Sequence, residues 1–126
     1  MKREPDCMLC SIVSGETSAS LVFEDTAVIA FMDINPVTEG HVLAVPRNHY
    51  PYLANLPEEV ASRMFLAARR IAAAIRGSEL KSEGINLSYA DGEAAFQAVF
   101  HSHLHVFPRY EGDGFKIAAD WGNPPT

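Results

Sequence analysis

Short apolar runs bounded by polar and turn residues dominate the first third of the chain. Ser20-Leu21-Val22-Phe23-Glu24 and Ala27-Val28-Ile29-Ala30-Phe31-Met32-Asp33 read as two strands, with Asp25-Thr26 as the turn between them. Asn35-Pro36 and Glu39-Gly40 punctuate a loop, after which His41-Val42-Leu43-Ala44-Val45 reads as a third strand ended by Pro46. Three such neighbours predict an antiparallel meander. Asp33 and His41 fall at strand ends, where side chains can reach a ligand. A helical period then replaces the short runs: Val60, Met64, Ala67, Ile71 and Ile75 form one stripe. Pro57, Glu58 and Glu59 suit the start of that helix and Gly77 its stop. The stripe is expected to pack on the sheet as scaffold. A shorter helix, Met8 to Val13, is expected before Gly15, and Ile85-Asn86-Leu87-Ser88-Tyr89 reads as a fourth strand.

The last strand carries the chemistry. In Gln97-Ala98-Val99-Phe100-His101-Ser102-His103-Leu104-His105-Val106-Phe107-Pro108-Arg109, three of the chain's five histidines stand at alternate positions. A strand would put His101, His103 and His105 on one face and Leu104 and Val106 on the other, with Pro108 as its end. Imidazoles fill a core poorly, because each needs polar partners and offers little apolar area. The face therefore reads as a metal site or as a histidine nucleophile with supporting neighbours.

Composition narrows the class. At 126 residues and 48% hydrophobic, the chain is expected to be one domain over 1–126, with 122–126 a poorly ordered tail. It has no apolar run of membrane-spanning length and no signal-like start, which predicts a cytoplasmic protein without a membrane partner. A net charge of −6 argues against a nucleic-acid surface. Small anions remain open, since the histidines with Arg109, or Arg47 beside the His41 strand, can make a local positive pocket.

Cys7 and Cys10 are the only cysteines. Their C-x-x-C spacing is half of a zinc site, or simply two small apolar residues at the start of a helix, and spacing alone leaves both readings standing. His49 reads either as a solvated loop residue or as a third ligand.

These residues together resemble the histidine triad (HIT) family, whose motif His-x-His-x-His is followed by two apolar residues. It stands here as His101-Ser102-His103-Leu104-His105-Val106-Phe107. Phe31-Met32-Asp33-Ile34, Gly40 to His49, and Pro108-Arg109-Tyr110-Glu111-Gly112-Asp113-Gly114-Phe115 match the family's flanking patterns in order. The resemblance implies an α+β fold: a five-stranded antiparallel sheet, one long helix and a short N-terminal helix, usually as a homodimer. It implies nucleotidyl transfer or hydrolysis at the α-phosphate of a nucleoside phosphoramidate or dinucleoside polyphosphate, with a purine nucleotide as substrate. His103 is by position the nucleophile, forming a nucleotidyl-histidine. An imidazole of ordinary pKa, about 6.5, has a free lone pair at neutral pH and needs no separate base. His105 and His41, if protonated, would stabilise phosphate charge or donate to the leaving group, and Gln97 would bond a phosphate oxygen. Asp33 would hold the ribose hydroxyls, with Phe31 and Ile34 lining the base pocket.

Relatives with a similar C-x-x-C imply a structural zinc held by Cys7, Cys10, His49 and His101, and no organic cofactor. Two positions depart from the pattern. Phe96-Gln97-Ala98 stands where glycine, glutamine and a hydroxyl residue are usual, and Ala90 where some relatives have asparagine. Those departures keep a second reading in play, a zinc-stabilised nucleotide-binding or regulatory module with little turnover. A third is a zinc hydrolase that uses the triad itself as ligands.

Overall fold

Side chains of the second and third strands alternate between two buried layers, and that alternation decides where the site is built. The computed structural model describes residues 4–119 and 121–123. β1 (Leu21–Glu24), β2 (Val28–Met32) and β3 (Val42–Pro46) form the expected meander, followed by β4 (Gly84–Ser88) and β5 (Leu104–Arg109). The sheet is antiparallel throughout, in the order β1-β2-β3-β5-β4. Helix α1 is Met8–Val13 and helix α2 is Glu58–Arg76, both as the sequence predicts. Among the described residues no helix is long and apolar enough to cross a membrane. Of the tail expected at 122–126, residues 124–126 lie outside the described ones, and Trp121 just before it is 81% exposed.

Val28, Ala30, Val42, Ala44 and Val106 point to one face, where Met64, Ala67, Ala68, Ile71 and Ile75 of α2 cover them. Ile29, Phe31, Leu43 and Val45 point to the other and pack under Cys7, Leu9, Cys10 and Ile12 of the N-terminal segment. Odd-numbered positions of β2 and β3 thus belong to the α1 face. His41 precedes β3 in the same phase, and Leu43 pairs with His105. The chemistry lies on the α1 side of the sheet.

Two strand boundaries differ from the sequence reading. β5 begins only at Leu104, so His101 and His103 are not strand residues and do not share a face with His105 by alternation. The cause is competition for backbone partners. Pairing of β3 with β5 stops at Ala44 opposite Leu104, and the Pro46 carbonyl accepts the His101 Nε2–H at 2.8 Å. The Ser102 N–H donates to the Tyr50 carbonyl at 2.7 Å. Pro108, expected to end the strand, sits inside it: β3 pairs only as far as Val106, and Pro108 lies opposite Ile85 of β4. Gly40 shows why the turn into His41 is fixed. Its φ is +85°, and a Cβ there would lie 2.7 Å from Leu80 Cδ1 and 3.2 Å from Pro108 Cγ.

Candidate functional site

The hydrogen bonds of His41, His101, His103 and His105 assign a tautomer to each. His103 is 8% exposed and its Nδ1–H donates to the His101 carbonyl at 2.7 Å. That leaves the Nε2 lone pair of His103 uncommitted. His41 accepts the Val37 N–H at Nδ1 (3.2 Å), so its proton sits on Nε2 and is donated to His105 Nδ1 at 2.9 Å. His105 in turn carries its proton on Nε2, available as a donor. The rings pack closely: His105 lies 5.0 Å from His103, and stacks on Phe107 at 5.2 Å with a 6° interplanar angle. Phe107 also touches His41 at 4.2 Å. Alternation from His105 would have pointed to Phe107; nothing in the sequence pointed to the Val37 N–H.

Burial keeps His105 and His41 neutral. It pushes the His105 pKa down to about 4, and the neighbouring His103 and His41 push the same way. His41 is also lowered by burial, against the opposing pull of Asp33, whose Oδ2 is 3.6 Å from His41 Nδ1. At neutral pH the pair therefore offers a neutral N–H donor, in place of the imidazolium that the resemblance allows. A stability prediction follows from the sign. The unfolded chain takes up a proton on His105 as pH falls through about 6.5, while the folded chain resists until about 4. Stability from this group is complete above pH 6.5 and lost toward pH 4. Urea midpoints measured between pH 7 and 4 should fall more steeply for the wild type than for His105→Asn.

Cys7, Cys10, His49 and His101 converge, with their ligand atoms all within 4.8 Å of one another. His101 Nδ1 lies 3.5 Å from Cys7 Sγ and 3.4 Å from Cys10 Sγ, and His49 Nδ1 lies 3.4 Å from Cys10 Sγ. Zinc bonds of about 2.3 Å to sulfur and about 2.0–2.1 Å to nitrogen place S and N about 3.5 Å apart in a tetrahedron. The spacing and the borderline-soft donor set fit that ion. His101 is fully buried, and burial lowers its pKa to about 4, which keeps Nδ1 free as a ligand atom. Its Nε2–H is anchored on Pro46, as a ligand imidazole requires. The triad is not one ligand set: Asp33, His41 and His105 form a separate group, and His103 belongs to neither.

Several expected residues are placed differently. Gln97 is 3% exposed, and both amide protons are taken, by the Pro51 carbonyl (2.7 Å) and the Val99 carbonyl (3.1 Å), while its oxygen accepts the Gly92 N–H (2.7 Å). It braces the 92–99 loop and has no donor left for a phosphate. Asp33 and Ile34 line a cavity of about 360 Å³ with Ser18, Ala19, Ser20 and Met32. Phe31 is 2% exposed and lies in the layer beneath α1, whereas Ile34 is 64% exposed. Neither arginine faces the histidines: Arg47 pairs with Glu24, and Arg109 with Asp113 and the Phe115 ring. Ala98 opens onto another cavity, of about 340 Å³, that Cys7, His49 and Phe100 also line.

A family model described as the HIT domain matches residues 14–112. The chain belongs to the HIT domain family. It is 42% identical over 111 residues to Protein hit of Bacillus subtilis, covering 87% of this chain and 76% of that one. It is 37% identical over 108 residues to the adenylylsulfatase HINT3 of Arabidopsis thaliana, covering 86% of this chain and 54% of that protein. Among solved structures, a zinc-bound histidine triad family protein from Mycobacterium smegmatis superposes with a TM-score of 0.83 at 42% identity, over 92% of this chain and 84% of the other.

Within this family member, Phe96 departs in conformation as well as in identity. Its φ is +71° and its side chain is 92% exposed, so a bulky residue occupies a left-handed position without packing in return. Left-handed backbone costs an L-residue roughly 1–2 kcal/mol, partly offset by the greater unfolded-state freedom of glycine. Phe96→Gly is expected to raise stability by about 1 kcal/mol, read as a higher urea midpoint at unchanged m-value.

Proposed function

We propose that this HIT protein is a nucleotide hydrolase or nucleotidyl transferase that cleaves at the α-phosphate of nucleoside phosphoramidates or dinucleoside polyphosphates through a nucleotidyl intermediate on His103. The observation that carries the reading is the 2.7 Å bond from His103 Nδ1–H to the His101 carbonyl, which leaves Nε2 as the free nucleophilic atom. Nε2 forms the bond to phosphorus as the bond to the leaving amine or phosphate breaks. The neutral Nε2–H of His105 donates to a phosphate oxygen, and His41 holds that tautomer from behind. Water then cleaves the phosphorus–nitrogen bond and restores His103. Asp33 accepts the ribose hydroxyls, with the 18–20 and 32–34 segments enclosing a purine base against Ile34. Gln97 acts by holding the loop ahead of the triad. Cys7, Cys10, His49 and His101 hold a structural zinc.

Incubation with adenosine phosphoramidate and, separately, a diadenosine polyphosphate tests this reading. Adenosine monophosphate release with an acid-labile adenylated protein is expected. Tight nucleotide binding without release would instead favour the binding or regulatory module. That second reading is motivated by Ala98, which brings no hydroxyl to the loop, and by Gln97, whose donors are occupied.

The same proposal includes a homodimer. β4 is a sheet edge, and Leu87 on it is 41% exposed, with Phe65 and Leu66 of α2 at 60% and 52%. Leu53, Leu56, Phe65 and Tyr89 line an apolar hollow of about 170 Å³ nearby. Sedimentation equilibrium should return twice the chain mass, and Phe65→Lys should return the single mass.

A further inference from the structure

His101 belongs to two constellations at once. Its Nδ1 faces Cys7 Sγ and Cys10 Sγ at 3.5 and 3.4 Å, while its backbone carbonyl accepts the Nδ1–H of His103 at 2.7 Å. The residue is fully buried, so no bulk water replaces either partner. Residues 101–103 also lie before the first residue of β5, outside the sheet ladder. What ties them instead is the segment running from Pro46 to Tyr50: the His101 Nε2–H donates to the Pro46 carbonyl, and the Ser102 N–H to the Tyr50 carbonyl. That segment carries His49, whose Nδ1 lies 3.4 Å from Cys10 Sγ. The four ligands therefore clamp together the two pieces of backbone that hold the His103 imidazole.

We propose that His101 is a positioning residue through which the ion held by Cys7, Cys10, His49 and His101 sets the orientation and tautomer of the His103 nucleophile. The proposal rests on the zinc reading given above and extends it, because a purely structural ion would anchor α1 and leave His103 indifferent to its identity. The physical link is short. The ion fixes the His101 ring, the ring and its Pro46 bond fix the peptide, and the peptide carbonyl is the acceptor that keeps the His103 proton on Nδ1. Were that carbonyl to turn away, the proton would be free to move to Nε2, and the nucleophilic lone pair would be lost.

The test reads the His103 ring itself. Protein labelled with ¹⁵N-histidine is prepared with zinc and with cadmium, a larger thiophilic ion that keeps the same ligands at longer bonds. Zinc content is measured first, by elemental analysis. With the circular-dichroism spectrum unchanged, cadmium is expected to shift the His103 Nδ1–H resonance and to lower kcat with KM within about twofold. His49→Ala, which loosens the clamp from the segment that does not contain His103, is expected to speed solvent exchange of that proton about tenfold and to lower kcat similarly. A His103 resonance identical in the zinc and cadmium forms, or an exchange rate unaltered in His49→Ala, overturns the coupling while leaving the metal site and the hydrolase reading intact. Protein purified without chelator and free of zinc overturns the metal reading and the coupling with it. A coupled His103 signal in a protein that releases no nucleotide supports the coupling and removes only the hydrolase reading.

Discussion

Replacing His103 by alanine is expected to lower nucleotide release by on the order of 10⁴-fold or more and to abolish the adenylated protein. The size follows from the absence of a substitute. His101 Nδ1 is turned to the two thiols, and His105 Nδ1 is occupied by the His41 proton at 2.9 Å, so neither neighbour presents an available lone pair at the same place. Water attacking directly would have to replace a nucleophile held in position, at a cost the remaining donors cannot offset. Nucleotide affinity should change little, because the cavity proposed above to take the nucleoside is lined by Asp33, Ile34 and the 18–20 segment and not by His103. Stability should fall by about 1–2 kcal/mol, since the His101 carbonyl loses a buried donor. Quench-flow with radiolabelled substrate and acid trapping separates these effects. Wild-type turnover or a trapped adenylated intermediate in His103→Ala would exclude the assignment.

The second large effect is expected on the other side of the sheet's histidine cluster. Cys10→Ser should abolish stoichiometric zinc binding and destabilise the protein by on the order of 4 kcal/mol. Cys10 Sγ is fully buried between His49 and His101, and a serine hydroxyl is a poor ligand because it does not ionise as a thiol does. Helix α1 has six residues, too few to persist alone, and its burial over Ile29, Phe31, Leu43 and Val45 depends on being pinned. The opposite layer, formed by α2 with Val28, Ala30, Val42, Ala44 and Val106, does not contact the cysteines and should survive. Hydrogen exchange should accordingly report loss of protection in residues 7–14 and the strand positions beneath them before the α2 side opens. Treating the wild type with a strong chelator should reproduce the pattern. Equal stability of the wild type and Cys10→Ser after both are stripped of metal is part of the expectation; equal stability before stripping would contradict it.

The two halves of the site differ in how legible they were. The apolar runs of β2 and β3, the stripe of α2 and the stop signals at Gly15 and Gly77 are local properties, so they carry over to the structure with shifts of a residue. The resemblance likewise gathered Cys7, Cys10, His49 and His101, and the structure brings their ligand atoms together. The histidine run is the exception: a strand period puts its residues on one face, but the Ser102 N–H goes to Tyr50, the His101 carbonyl accepts from the His103 ring, and the His101 ring itself is held by the Pro46 carbonyl. Gln97 is a related case. Its identity announces a versatile amide, but only the folded loop shows that both of its protons are spent on carbonyls. Phe96 was visible as a substitution, and its left-handed backbone was not.

The sequence by itself determined the elements, the family and the chemical kinds of the groups, because periodicity, turn residues and motif spacing are written along the chain. Only the tertiary structure decided which nitrogen each histidine offers. That choice depends on hydrogen bonds from residues far away in sequence or on the backbone, such as the Pro46 carbonyl 55 positions from His101 and the His41 ring 64 positions from His105. No side-chain identity encodes where such a partner will stand.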